Sequence, residues 1–190
     1  MTQATMEQTG SKPLKELPLR LHHQAFAVKD QEVTRQFMED VLGIPLVATW
    51  CERVFRPEVG REVDYCHTFY SIGDGGAIAF FQYADEEAWE KNKLDLPQVG
   101  GGLHTAFKVT QASYDELLER LDKTGTPYRI IDHGYCMSLY VMSPDTFRFE
   151  FVVDAPHWEE VSEMRRKDAH SELRRWLGGD YTPNNEDRAH

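Results

Sequence analysis

The sequence predicts an α+β protein of two tandem βαβββ modules that form a curved mixed sheet around a cleft, followed by a C-terminal helix. Three observations carry that reading. First, His23-Gln24-Ala25-Phe26-Ala27-Val28 is answered 81 residues later by His104-Thr105-Ala106-Phe107-Lys108-Val109. Second, each of these strand-like runs leads into an amphipathic helix that stops at glycine, with proline two residues on: Gly43-Ile44-Pro45 and Gly125-Thr126-Pro127. Third, Tyr65-Cys66-His67-Thr68-Phe69-Tyr70 pairs with Tyr135-Cys136-Met137-Ser138-Leu139-Tyr140, and a turn flanked by strands follows both. Several matches in the same order point to duplication.

Taken in order, residues 1–17 are polar and aperiodic and are expected to form a flexible tail. Residues 18–155 form one domain: module one over 18–85, a linker over 86–102 ending in glycines, and module two over 103–155. In the first helix Val33, Phe37 and Val41 share a face, and Asp30 suits the N-cap. In the second, Tyr114, Leu117, Leu118 and Leu121 do the same. The tyrosines match at a spacing of 70 rather than 81, so module one carries a net insertion of about 11 residues between Pro45 and Tyr65. SIGDGGAIAFFQY and VMSPDTFRFEFVV then supply the last strands. Residues 156–190 are read as an added helix with Trp158, Val161, Met164, Ala169, Leu173 and Trp176 on one broad side, then a polar tail.

Composition narrows the function. A net charge of −11 opposes binding to nucleic acid or to an anionic membrane surface, because like charges repel. No apolar run approaches the roughly 20 residues of a membrane span, and the first residues lack a signal-peptide core. Cys51, Cys66 and Cys136 are an odd, scattered set, which fits reduced thiols in a cytoplasmic protein.

The chemistry is sought among histidines and carboxylates. Strand alternation places every second side chain on one face, so His23 and His104, at equivalent repeat positions, are expected to meet in one cleft. Glu150 lies among Phe147, Phe149 and Phe151, where a buried carboxylate needs a cation. Two histidines and one carboxylate make a facial metal triad with open coordination positions. Each member alone has a plainer reading: a histidine on an apolar strand is more often a core residue, and Glu150 has Arg148 nearby to pair with. His22, one residue off, should point to the opposite face. Arg53, Arg56 and Arg61 lie in the insertion, either as solvated charges or as a clamp for a substrate carboxylate.

Together HHQAFAVKD with FMEDVLGI, then GLHTAFKV, then DHGYCMSLYVMSPDTFRFEF resemble the vicinal oxygen chelate superfamily, over roughly residues 19–155. That superfamily includes glyoxalase I, methylmalonyl-CoA epimerase, fosfomycin-resistance enzymes and extradiol catechol dioxygenases. The resemblance implies metal ligands at His23, His104 and Glu150. Glyoxalase I-like members use a fourth ligand on the last strand of module one, where a spacing of ten from Tyr70 puts Phe80, with Gln82 on the same face. The three-ligand pattern resembles the dioxygenases and fosfomycin-modifying enzymes, and Tyr140 resembles a tyrosine that both place beside the metal. The turn Ser143-Pro144-Asp145-Thr146 lacks the family's usual glycine.

The resemblance therefore implies a metalloenzyme acting on a small molecule: an iron(II) extradiol-type ring-cleaving dioxygenase of catecholic substrates. His133 is expected as the acid–base group and Tyr140 as a hydrogen-bond donor at the metal. The alternatives are a non-redox lyase, isomerase or thiol transferase using Mn, Ni or Zn, and a metal-free drug-binding protein. The sequence leaves the oligomeric state open; the superfamily often forms homodimers, and the C-terminal helix is one surface available for pairing.

Overall fold

Each histidine-led strand does run into a capped helix and then a three-stranded meander. The computed structural model describes residue 16 and residues 18–94 and 102–185. Module one runs β1 (His23–Ala27), α1 (Gln31–Arg35), β2 (Leu46–Arg56), β3 (Arg61–Ser71) and β4 (Ala77–Tyr83). The Asp30 carboxylate caps α1 by accepting from the amides of Glu32 and Val33. This helix continues as a wider π-helical turn over Gln36–Val41 that buries Phe37 and Met38. Val33, expected on the inner face, is therefore 41% exposed, and Met38 takes the inner position.

Module two runs β5 (Thr105–Lys108), α3 (Gln111–Thr124), β6 (Tyr128–Asp132), β7 (Cys136–Met142) and β8 (Arg148–Asp154). Between the modules, the segment expected as a linker begins with a helix, α2 (Glu86–Asn92), started by Asp85 accepting from the Ala88 amide. The sheets have the orders β1-β4-β3-β2 and β5-β8-β7-β6, with only the β1/β4 and β5/β8 pairs parallel. One core joins the modules. Phe26 packs against Phe147 with ring centroids 4.5 Å apart, and Phe37 lies 6.2 Å from Phe149. Gln24 and Thr105, equivalent in the repeat, meet across the junction at 3.3 Å.

Strand register corrects one detail of the repeat. Ala25 faces Ala79, whereas its counterpart Ala106 faces Glu150; likewise Phe69 pairs with Ala79 as Tyr140 pairs with Glu150. The structural counterpart of Glu150 is thus Ala79, not Phe80, and that of Tyr140 is Phe69. Matching tyrosine to tyrosine puts these counterparts one residue off, because alternation leaves Tyr70 and Phe80 on the core face. The insertion is the long β2–β3 hairpin. The same correspondence aligns Thr146 with Gly75: both have positive φ, 66° and 81°, and their amides close the turn on Ser143 and Ile72 carbonyls. The glycine-free turn keeps its shape by holding a threonine in a left-handed conformation.

The C-terminal helix α4 (Trp158–Leu177) buries none of its residues, and Met164, Leu173 and Trp176 are half-exposed or more. Its start packs Trp158 against Tyr135, and the following segment folds back, with Tyr181 against Trp176 and the Asn185 amide on the His133 carbonyl. The expected N-terminal tail lies outside the described residues apart from Glu16. Among the described residues no helix is long and apolar enough to cross a membrane.

Candidate metal centre

The sheet faces turned away from the core carry the candidate residues. On module two, β8 presents Glu150, β7 presents Tyr140 opposite it, and the residue before β5 is His104. Glu150 is only 6% exposed. Its partners are neutral-capable groups: the Tyr140 hydroxyl donates to Oε1 at 2.8 Å, and His104 Nε2 stands 2.9 Å from Oε2. His104 Nδ1 lies 3.0 Å from the Gly102 carbonyl, which can only accept. With Nδ1 as that donor, Nε2 can meet the carboxylate only through a proton or another cation. The donor set thus suits a divalent metal, with the outer nitrogen held by a carbonyl as metal-bound histidines commonly are.

Tyr140 links this pair to His133, whose Nε2 is 3.1 Å from the phenol oxygen. Because Tyr140 donates to Glu150, its oxygen is left to accept from His133, giving a continuous path His133–Tyr140–Glu150–His104. Burial first, and the Glu150 carboxylate second, push the Tyr140 phenol above its ordinary value and keep its proton in place. Alongside lies a cavity of 440 Å³ lined by His104, Tyr140, Arg129, Arg148, Tyr128 and Met142. Arg129 pairs with Tyr140 in the ladder and therefore shares its face. Arg148 is two residues from Glu150 in the sequence, whereas nothing local marks Arg129; the adjacency of β6 to β7 is what places it.

His23 lies on module one's corresponding face, in different company. Its Nδ1 is 2.8 Å from that of His22, and its ring meets Phe69 and His67 at 5.4 and 6.1 Å. His67 stacks on Phe81 at 3.6 Å, and Tyr65 and Tyr83 extend this aromatic wall. Burial first, then His23, hold the His67 imidazole down to about 4. Among the described residues, no group of three metal-binding side chains is gathered in one copy of the chain. The structure therefore brings His104, Glu150, Tyr140 and His133 together and leaves His23 apart from them.

Two other sequence expectations resolve differently. Gln82 faces the core side, where its Oε1 accepts from the Gln31 amide at the start of α1. The insertion arginines are engaged on the hairpin: Arg53 forks onto Asp64, Arg61 pairs with Asp85 and Glu87, and Arg56 lies over the Tyr65 and Tyr83 rings. None of the three is presented to the Glu150 cavity.

No family model matches the sequence, and no curated protein matches it. Solved structures do. The fosfomycin resistance protein FosX from Mesorhizobium loti is 24% identical, over 77% of this chain and 99% of its own, with a TM-score of 0.51. A mutant FosX from Listeria monocytogenes, complexed with Mn(II) and 1S,2S-dihydroxypropylphosphonic acid, is 18% identical, over 75% of this chain and 98% of its own, with a TM-score of 0.50. A putative dioxygenase from Bacillus subtilis is 21% identical and has a TM-score of 0.51, over 70% of this chain and 39% of its own.

Proposed function

On the vicinal oxygen chelate fold that this chain has, we propose a divalent-metal enzyme acting on a small anionic molecule, with iron(II) ring cleavage of a catechol as its reaction. The observation that carries the proposal is the contact between His104 Nε2 and buried Glu150 Oε2, two metal-ligating groups held 2.9 Å apart with no room for solvent between them. His104 and Glu150 hold the metal, and His23 is the third ligand. Since His23 stands on the other module's open face, a second copy of the chain supplies it, and the active form is a homodimer. A metal there supplies Lewis acidity and, as iron(II), a redox partner for dioxygen.

The chain's own groups do the rest. The 440 Å³ cavity seats the substrate beside His104, and Arg129 and Arg148 offer guanidinium donors to a carboxylate or phosphonate. His133, behind the Tyr140 phenol that lines the cavity, is the acid–base group, with Tyr140 as its hydrogen-bonded link to Glu150. The aromatic wall of module one, facing in from the second copy, excludes water and packs the ring. Three free cysteines fit a cytoplasmic setting.

A second reading keeps this site and changes the reaction: a non-redox addition of water or a thiol to an epoxide, with manganese. The similar fold of a FosX complexed with Mn(II) and a phosphonic acid supports it, and the arginines beside the site suit a phosphonate as well as a carboxylate. Protein purified without oxygen and loaded separately with iron(II) or manganese(II) distinguishes the two. Oxygen uptake with carboxylated catechols in the iron form supports ring cleavage. Manganese-dependent loss of fosfomycin, with no oxygen uptake in either form, moves the assignment to the second reading. For the shared site, His23→Ala and His104→Ala are mixed. Each is inactive alone, and the mixture recovers about a quarter of wild-type activity if the ligands come from different copies. A mixture that stays inactive rejects the shared site.

A further inference from the structure

A thiol pair on the long hairpin of module one belongs to no part of the proposed metal centre. Cys51 on β2 and Cys66 on β3 are direct partners in the antiparallel ladder. Opposed residues in such a ladder hold their Cα atoms about 4.5–5.5 Å apart, within the range of about 4.4–6.8 Å that a disulfide spans. Both side chains leave the ribbon on the same face, so the two thiols are direct cross-strand neighbours. Cys51 is exposed, Cys66 is half-buried, and both are free. They line an open depression of 580 Å³ together with Glu52, Arg53, Asp64 and Gln82.

The neighbouring rungs hold the pair in register. Tyr65 donates to Glu52 at 2.5 Å, and Arg53 forks onto Asp64 at 2.5 and 2.8 Å. The third cysteine, Cys136, is buried in the other sheet against Ser138.

We propose that Cys51 and Cys66 are an oxidant-responsive dithiol that closes into a reversible intramolecular disulfide. With hydrogen peroxide as oxidant, the Cys51 thiolate attacks one peroxide oxygen. The O–O bond breaks, and the departing hydroxide leaves as water once protonated, giving a Cys51 sulfenic acid. The Cys66 sulfur then attacks the Cys51 sulfur, the S–O bond breaks, and the second hydroxide leaves as water with the Cys66 proton. Two thiols lose two electrons and peroxide becomes two waters. Exposure makes Cys51 the first to react, while burial pushes the Cys66 thiol up and keeps it in reserve. The bond locks together the two strands that flank Tyr65 and His67 of the aromatic wall, and it stands whether or not the metal-centre reading does.

The test treats the full chain with hydrogen peroxide, alkylates it after unfolding, and weighs it intact. The expected result is loss of two of the three alkylation sites, a crosslink mapped to peptides containing Cys51 and Cys66, and full recovery with dithiothreitol. Cys51→Ser and Cys66→Ser should each abolish the crosslink, and Cys136→Ser should retain it. Three alkylated thiols after treatment overturn the proposal. So does a Cys51 sulfinic acid beside a free Cys66, or a Cys51 link between two chains.

Discussion

The two modules share a backbone plan and differ in what they place on it. At the position where module two buries Glu150, module one has Ala79; where module two has Tyr140, module one has Phe69. Module two is thus the polar half, with an acid, a phenol, two histidines and flanking arginines. Module one is an aromatic wall that carries His23 with His22 and His67 beside it. Duplication supplies two equivalent faces, and substitution at equivalent rungs then gives one face the chemistry and the other the shape.

Several changes test that division, from the largest expected effect down. Glu150→Ala should lower metal affinity by more than about 100-fold, beyond what loss of an outer-shell partner costs, while Ala79→Ser at the equivalent rung leaves it intact. Metal content after dialysis reads both. Retention of metal by the Glu150 variant would remove that residue from the centre.

Next comes the shared core. Phe149→Ala and Phe80→Ala, fully buried in module two and module one, should each cost about 3–5 kcal/mol. Because one core joins the modules, both variants should shift a single melting transition. A separate transition for one module after Phe80→Ala would show that the halves fold independently.

The equivalent turns provide a smaller contrast. Thr146 bears a left-handed strain that Gly75 avoids. Thr146→Gly should therefore raise stability by about 1 kcal/mol, and Gly75→Thr should lower it by about 1–2 kcal/mol. Denaturant midpoints compare the two, and a loss from Thr146→Gly would contradict the strain.

The smallest effect is pH-dependent. Asp74 accepts from Gly76 within its own turn, whereas its counterpart Asp145 reaches across the modules to accept from the Lys29 amide at 3.1 Å. Burial is the main cause that pushes the Asp145 carboxyl above its ordinary value, opposed by that amide and reinforced by Asp30. The folded chain thus holds this proton more tightly than the unfolded chain. Its stabilisation is complete below the unfolded value of about 4 and is lost as pH rises through the raised folded value. Asp145→Asn keeps an acceptor and removes the charge, so it should stabilise by up to about 1 kcal/mol at pH 7 and by nothing near pH 3. Melting curves at the two pH values check this, and an equal gain at both would exclude ionisation as the cause.

Much of the fold was legible from local chemistry. Asp30 as a cap, the paired Gly-x-Pro stops, the apolar faces of α3 and the alternation of β8 all act within a few residues. Interactions of that range leave a readable pattern. His104 and Glu150 follow from the repeat and the strand alternation, Tyr140 and His133 from the family resemblance, and the structure joins the four in one chain of contacts.

Other features had no local signature. Phe80 and Ala79 are adjacent, so only the ladder between β3 and β4 reveals which is Glu150's equivalent. The helical start at Glu86 was hidden inside a polar stretch, and the engagement of Arg53 and Arg61 depends on the hairpin rung and on Asp85. Likewise, Arg129 reaches the candidate cavity only because β6 pairs with β7.

The sequence by itself determined the repeat, the order of elements and the residue types available for chemistry, since each follows from short-range periodicity and capping. The tertiary structure decided the register, the separation of His23 from the Glu150 pair and the choice of which arginines line the site. Those depend on long-range strand pairing and on how two sheets bury one core, which no spacing along a single chain encodes.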